Sequence, residues 1–203
     1  MFVTMTHDTK IPVVRIEYAV ADRAAWHAGH LLARVPQRER DKCQRKGRRD
    51  KYASQFPSNH YGEVLSMIAL DAEGWDWLYD EFYLFWNKRT SHDSFAERLS
   101  WMSRGEGVYK AGTLRLLEFI GKESMEALWR GAEKLRTADT WPVEPDLFAW
   151  REVDGRLRFR CIEVKVNTDP IRHDQLVGLE LITEVLGHDC DVCVHHYAPR
   201  LAT

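Results

Sequence analysis

The spacing of apolar residues changes character along this chain, and each change marks an element. Residues 11–20 (IPVVRIEYAV) are β-branched and compact, which predicts a strand. Asp22 then offers an N-cap for a helix that runs to about Ala33 and stops near Pro36. Beyond Pro57 the chain is apolar on nearly every side between 64 and 70, the mark of a buried helix, and Gly74 divides it from a second, aromatic helix. Ser94 with Glu97 spells a capping box for a helix through about Ser103, and helical spacing continues over 107–120 and 123–136. After Trp141-Pro142 the pattern changes again. DLFAWRE, a turn at Asp154-Gly155 and RLRFRCIEVKV read as an antiparallel hairpin. Pro170 opens a helix whose Ile171, Leu179, Ile182 and Leu186 share one face and which ends at Gly187, and the strand DVCVHHYA follows.

Composition turns this string of elements into one unit. With 203 residues and 44% hydrophobic content the chain can bury a single substantial core, so residues 1–203 are expected to form one domain. Within it, 1–58 is an N-terminal extension, 59–140 is mainly helical, and 141–203 holds the hairpin, a helix and the last strand. No apolar run approaches the roughly 18 residues of a membrane span, and MFVTMTHDTK lacks an apolar signal core. The expectation is a soluble protein with no membrane partner, cytoplasmic or associated with the nucleoid. Cys190 and Cys193 are spaced like half a zinc knuckle, but no second pair exists and residues i and i+3 of a strand point to opposite faces.

Charge adds a partner class. Residues 34–51 carry nine Lys or Arg against three acids, a net +6, which leaves −8 for the rest of a chain whose total is −2. Arg34, Arg38, Arg40, Lys42, Arg45, Lys46, Arg48, Arg49 and Lys51 suit a polyanion such as DNA, whose phosphates they would neutralise; a solvated surface segment is the other reading.

The candidate chemistry lies in the last third. Hydrolysis of a phosphodiester needs carboxylates that converge on a divalent cation beside one scissile phosphate. Asp146 begins one strand of the hairpin, Glu163 lies in the other, and Lys165, two residues on, shares the face of Glu163. The two acids would hold Mg²⁺ or Mn²⁺, the carbonyl of Val164 could add a ligand, and Lys165 could orient or help deprotonate water. An ordinary Glu-x-Lys pair on a polar strand face is the alternative. Apolar Ile162, Val164 and Val166 fix the opposite face as buried. Gln175 falls on the apolar face of the following helix, where a core-facing amide needs a partner; it either serves the site or is a satisfied structural glutamine. Glu63 enters the buried helix on the face of Met67 and Leu70, as a third acid or as a helix N-terminal acid favoured by the macrodipole. Glu106 competes for the same role.

Taken in order, these residues resemble the VRR-NUC branch of the PD-(D/E)xK nucleases, which includes the Fanconi-associated nuclease and small phage and bacterial resolvase-like enzymes. The resemblance runs from about 61 to 197. It rests on a helix with a leading acid ending in Trp-Asp (Glu63 to Trp75-Asp76), a PDL-x-x-W strand (Pro145 to Trp150), an EVK strand (Glu163-Val164-Lys165) and a helix carrying Gln175. What it implies is an α/β restriction-endonuclease-like core of αβββαβ type, with a helical insertion at about 80–140 and the N-terminal extension. It further implies metal binding by Glu63, Asp146 and Glu163, with Lys165 and Gln175 completing the site. The implied activity is structure-specific cleavage of flapped or branched DNA in repair or recombination, by a self-contained enzyme that forms a homodimer as small resolvases do. A defence or restriction-like nuclease uses the same chemistry. A binding module that kept the fold without catalysis is the other class, against which the intact Asp146, Glu163 and Lys165 argue. The family often follows EVK with Gly-Pro and sets a basic residue before the glutamine. This chain has Val166-Asn167 and Asp174, so backbone approach to DNA is expected to differ there.

Overall fold

A computed structural model describes residues 2–4, 10–28, 34–39, 60–85, 94–103, 108–136 and 141–200. Among them the strands are β1 (Phe2–Thr4), β2 (Lys10–Tyr18), β3 (Asp76–Tyr79), β4 (Leu147–Val153), β5 (Arg156–Val166) and β6 (Cys190–Pro199). The α-helices of eight or more residues are α1 (Val20–His27), α2 (Tyr61–Ala72), α3 (Phe95–Ser103), α4 (Val108–Ile120), α5 (Lys122–Leu135) and α6 (His173–Leu186). The protein is a mixed α/β fold.

Local chemistry accounts for several boundaries. The β4–β5 hairpin closes through Asp154 (φ 53°) and Gly155 (φ 74°), left-handed at both central positions, the geometry whose twist matches paired strands. Ser94 and Glu97 form the reciprocal cap expected of them at the start of α3. Gly187, at φ 54°, ends α6.

The sheet runs β1-β2-β6-β5-β4-β3, with β2, β6 and β5 mutually parallel and the outer pairs antiparallel. Both faces are covered. On one, Phe148 and Val194 of the sheet meet Leu116 of α4, Leu128 of α5 and Leu179 of α6; on the other, Leu147 and Ile162 meet Trp26 of α1 and Met67 and Leu70 of α2. Cys190 and Cys193 fall in different faces, as strand alternation requires.

Several expectations are corrected. The aromatic segment after Gly74 is not a second helix: Trp77 and Tyr79 pair with Ala149 and Leu147 as the edge strand β3, because aromatic residues suit a pleated surface once a partner strand is present. Helices α2 to α5 still make up most of the described residues of 59–140, with β3 between α2 and α3. The N-terminal part is no mere extension, since β2 lies against β6 in the body of the sheet. Asp22 sits in the first turn of α1, while Ala19 is the N-cap and makes no side-chain cap bond; α1 ends at His27, well short of Ala33. Helix α6 opens at His173, three residues after Pro170. Finally, the Glu163–Lys165 face of β5 is not solvent-facing but buried, with Gln175 of α6 bonded to Glu163.

Candidate active site

The start of β4, the ends of β3 and β5, and the N-termini of α2 and α6 meet at one end of the sheet. Two close approaches bring the helices there. A Cβ on Gly62 would stand 2.7 Å from Val164 Cγ1 and from Val166 Cγ2, so only glycine lets the first turn of α2 touch β5. Gly178 lies against the Val143 carbonyl, and the Val143 N–H donates to the Asp174 carbonyl at 3.1 Å, which ties α6 to the chain entering β4.

Asp146 stands one residue before β4, where its Oδ2 accepts a 2.8 Å hydrogen bond from the Val164 N–H. Glu163, only 1% exposed, projects from β5 toward it. The Oε1 of Glu163 accepts from Lys165 Nζ at 2.6 Å and from the Gln175 amide. Gln175 is oriented by the backbone: its Oε1 accepts from the Arg172 N–H at 3.0 Å, so its Nε2 must be the end that donates to Glu163. The amide expected to need a partner therefore clamps a carboxylate. Val164 contributes its N–H to this cluster.

Electrostatics shows how crowded the acids are. Burial pushes Asp146 well above the usual carboxylate range, and the charges of Glu163 and Glu63 add to the rise; the Val164 N–H and Lys165 oppose it. Glu163 is also raised by burial, against the pull of Lys165 and Arg172. Two adjacent buried carboxyls with a raised hold on protons are a set of oxygen donors short of positive charge.

Glu63 reaches this corner from the first turn of α2, on the opposite face of the sheet, and its Oε1 lies 3.4 Å from His60 Nδ1. The same nitrogen is 2.7 Å from the Tyr79 hydroxyl, whose proton is held by burial and by the charges of Glu63 and Asp146. Sequence reasoning passed over His60 and Tyr79, since nothing in the local pattern distinguishes a tyrosine on a strand read as helix. Among the described residues no group of three or more His, Cys, Asp or Glu side chains is arranged to hold a metal ion. Glu63 leans on His60, and Glu163 on Lys165 and Gln175.

A cleft of about 530 Å³ opens beside Asp146, lined also by Glu63, His60, Tyr79, Asp80 and Glu144. Of the basic residues, Arg34 is exposed and Arg38 is committed to the fold: its guanidinium lies 3.4 Å over the Trp77 ring and bonds Asp76 at 2.6 Å. Arg40, Lys42, Arg45, Lys46, Arg48, Arg49 and Lys51 lie outside the described residues, as does Glu106. The chain leaves the described structure after Glu39 and rejoins it at His60. His60 lines the cleft, its Nδ1 2.7 Å from the Tyr79 hydroxyl. No protein-family model matches the chain, and neither does any curated protein or solved structure.

Proposed function

We propose that this chain is a metal-dependent endonuclease of the PD-(D/E)xK type, hydrolysing phosphodiester bonds in flapped or branched DNA. The observation that carries the reading is the convergence of Asp146, Glu163, Lys165 and Gln175 at one end of the sheet, with Glu63 arriving from α2. The order α2-β3-β4-β5-α6-β6 supports it, with α3 to α5 inserted after the first strand of that series, as the αβββαβ core requires.

The donors present are hard oxygens, which suit Mg²⁺ or Mn²⁺ over zinc. Mg²⁺ takes one or two carboxylates and fills its sphere with waters and substrate phosphate oxygens, so a closed cage of three acids is not required. Asp146, Glu163 and Glu63 would hold the ion, and the Val164 carbonyl could add a ligand. Bound there, the ion would lower the pKa of a water and neutralise charge on the phosphate.

The chain's own groups do the positioning. The Val164 N–H holds Asp146 in place, and the Gln175 amide holds Glu163. Lys165 Nζ, bonded to Glu163, would orient the attacking water. The N-termini of α2 and α6 both lie at this end of the sheet, and their positive partial charge would favour a bound phosphate. The basic residues between Glu39 and His60 are assigned to backbone phosphates, a sequence-independent contact.

A cleavage assay over flap, fork, four-way junction and linear DNA with Mg²⁺ or Mn²⁺ tests the reading. Cutting should vanish with chelator and return with either ion. Undiminished cutting after exhaustive metal removal, or no cutting of any substrate, would overturn it.

A further inference from the structure

The wall of the cleft away from Asp146 is aromatic. Tyr83, from the segment after β3, and Tyr109, from α4, stack at 5.0 Å between ring centroids and 20° between planes, and both line the cavity. The two come from segments 26 positions apart and are held together by a defined bracket. Thr113, only 1% exposed, accepts a 2.9 Å bond from the Tyr83 N–H and donates at 2.7 Å to the Tyr109 carbonyl. Gly112 places α4 directly on the Glu81 carbonyl, where a Cβ would collide. The Tyr109 hydroxyl donates to Asp80 at 2.6 Å, and Asp80 is itself held at φ 47°. The rings therefore form a preset platform.

The charge of the cleft decides what such a platform can take. Glu63, Asp80, Glu144 and Asp146 line it, and among the described residues that line it none is Lys or Arg. Burial and then the charges of Glu144 and Asp80 raise the Tyr83 phenol, so those carboxylates act on the platform itself. A nucleobase suits this lining: it has a π face for a tyrosine and carries amino or imino hydrogens for carboxylate acceptors. The volume lies within the roughly 300–1,000 Å³ of clefts that hold small ligands.

We propose that this cleft is a subsite for one unpaired nucleobase next to the scissile phosphate, stacked on the Tyr83–Tyr109 pair with its hydrogen-bond donors toward the acidic wall. The inference rests on the nuclease reading for its ligand. It names the feature of flapped DNA that the protein would recognise: a base free to leave the duplex.

The test uses flapped DNA carrying 2-aminopurine, whose fluorescence falls on stacking, either at the first unpaired position or at a paired position within the duplex. Binding is followed with Glu163→Gln in Mg²⁺, and cleavage of the same DNA by the unaltered protein is measured separately. Fluorescence should be quenched at the unpaired position and not at the paired one. Tyr109→Leu or Tyr83→Leu, added to Glu163→Gln, should remove the quenching and weaken binding of flapped DNA about tenfold, the scale of one base stacked on an aromatic ring. Tyr109→Phe, which keeps the ring, should retain both. Equal signals at the two positions, or quenching that survives both leucine variants, would overturn the subsite. Cleavage without quenching overturns the subsite alone, and quenching without cleavage overturns the nuclease reading alone. The comparison of positions needs no tyrosine variant, so a variant that fails to fold leaves the test standing.

Discussion

Two buried polar clusters lie back to back on neighbouring residues of β5 and β6, and they are built on opposite principles. Glu163, beside Val194 in register, faces α6 and joins a charged cluster that opens on a cleft. His195, beside Val164, faces α2 and joins a neutral one: Ser66 Oγ lies 3.2 Å from His195 Nδ1 and 2.8 Å from the Tyr197 hydroxyl. Burial, helped by the charge of Arg160, lowers the His195 pKa to about 4, so at neutral pH this cluster carries no charge and its polar atoms satisfy one another. The charged cluster brings acids together that raise each other's hold on protons. Hydroxyls and an imidazole buried with partners are compatible with a stable core. Adjacent buried carboxyls are not, unless a cation is supplied. On the nuclease reading proposed above, the charged cluster is the one assigned to chemistry.

The largest expected effect follows from discharging that cluster. Asp146→Asn and Glu163→Gln should each lower cleavage by about 10³-fold, the scale of removing one preorganised electrostatic contact from a transition state. Stability should move the other way for Asp146→Asn. The raised proton affinity of Asp146 means that the folded state gains from its protonated form, a gain complete below the ordinary carboxylate range and lost as pH rises through the folded value. In chelator at neutral pH, Asp146→Asn should therefore melt higher than the unaltered protein. A variant that melts lower there and still cuts DNA would erase the distinction between the two clusters.

The neutral cluster should respond to pH with the opposite sign. A histidine held at about 4 against an ordinary 6.5 contributes stability that is present above 6.5 and is lost as pH falls toward 4. The shift corresponds to about 3 kcal/mol at full loss. Denaturant melts across that window should show this acid sensitivity, and His195→Leu should flatten it. An unchanged slope in His195→Leu would mean that His195 is not the neutral member described.

A smaller effect is expected where the clusters share a support. Gly62→Ala would force α2 off Val164 and Val166, costing about 1–3 kcal/mol as an overpacked contact, although alanine is ordinarily the better helix former. Cleavage should fall with it, because Glu63 moves with that turn. If thermal melts showed Gly62→Ala stabilised, the close approach would be wrong.

The mildest change concerns binding alone. Replacing Arg45, Lys46, Arg48 and Arg49 by alanine should weaken binding to every DNA, with little effect on cleavage at saturating substrate. The log-log salt slope should fall by roughly 0.9 for each phosphate that is no longer neutralised. An unaltered slope would remove these residues from the interface.

What the sequence determined by itself is local. The hairpin turn at Asp154-Gly155 needs two residues that tolerate positive φ, the Ser94–Glu97 cap needs two side chains three apart, and α2, α4, α5 and α6 need only apolar residues at helical spacing. Alternation on β5 also put Glu163 and Lys165 on one face, and the buried amide of Gln175 announced that it required a partner. The tertiary structure decided what depends on distant segments. Trp77 and Tyr79 became a strand because β4, nearly seventy residues later, offers an edge to pair with. Strand β2 entered the sheet because β6 lies between it and β5, a pairing of Val13 with Val194 that no short window contains. The burial of Glu163, the meeting of Glu63 with Asp146, and the joining of Tyr83 to Tyr109 are of the same kind. Backbone sterics and side-chain spacing act over a few residues and are written in order along the chain. Which charge is desolvated, and by what neighbour, is set only when the layers close.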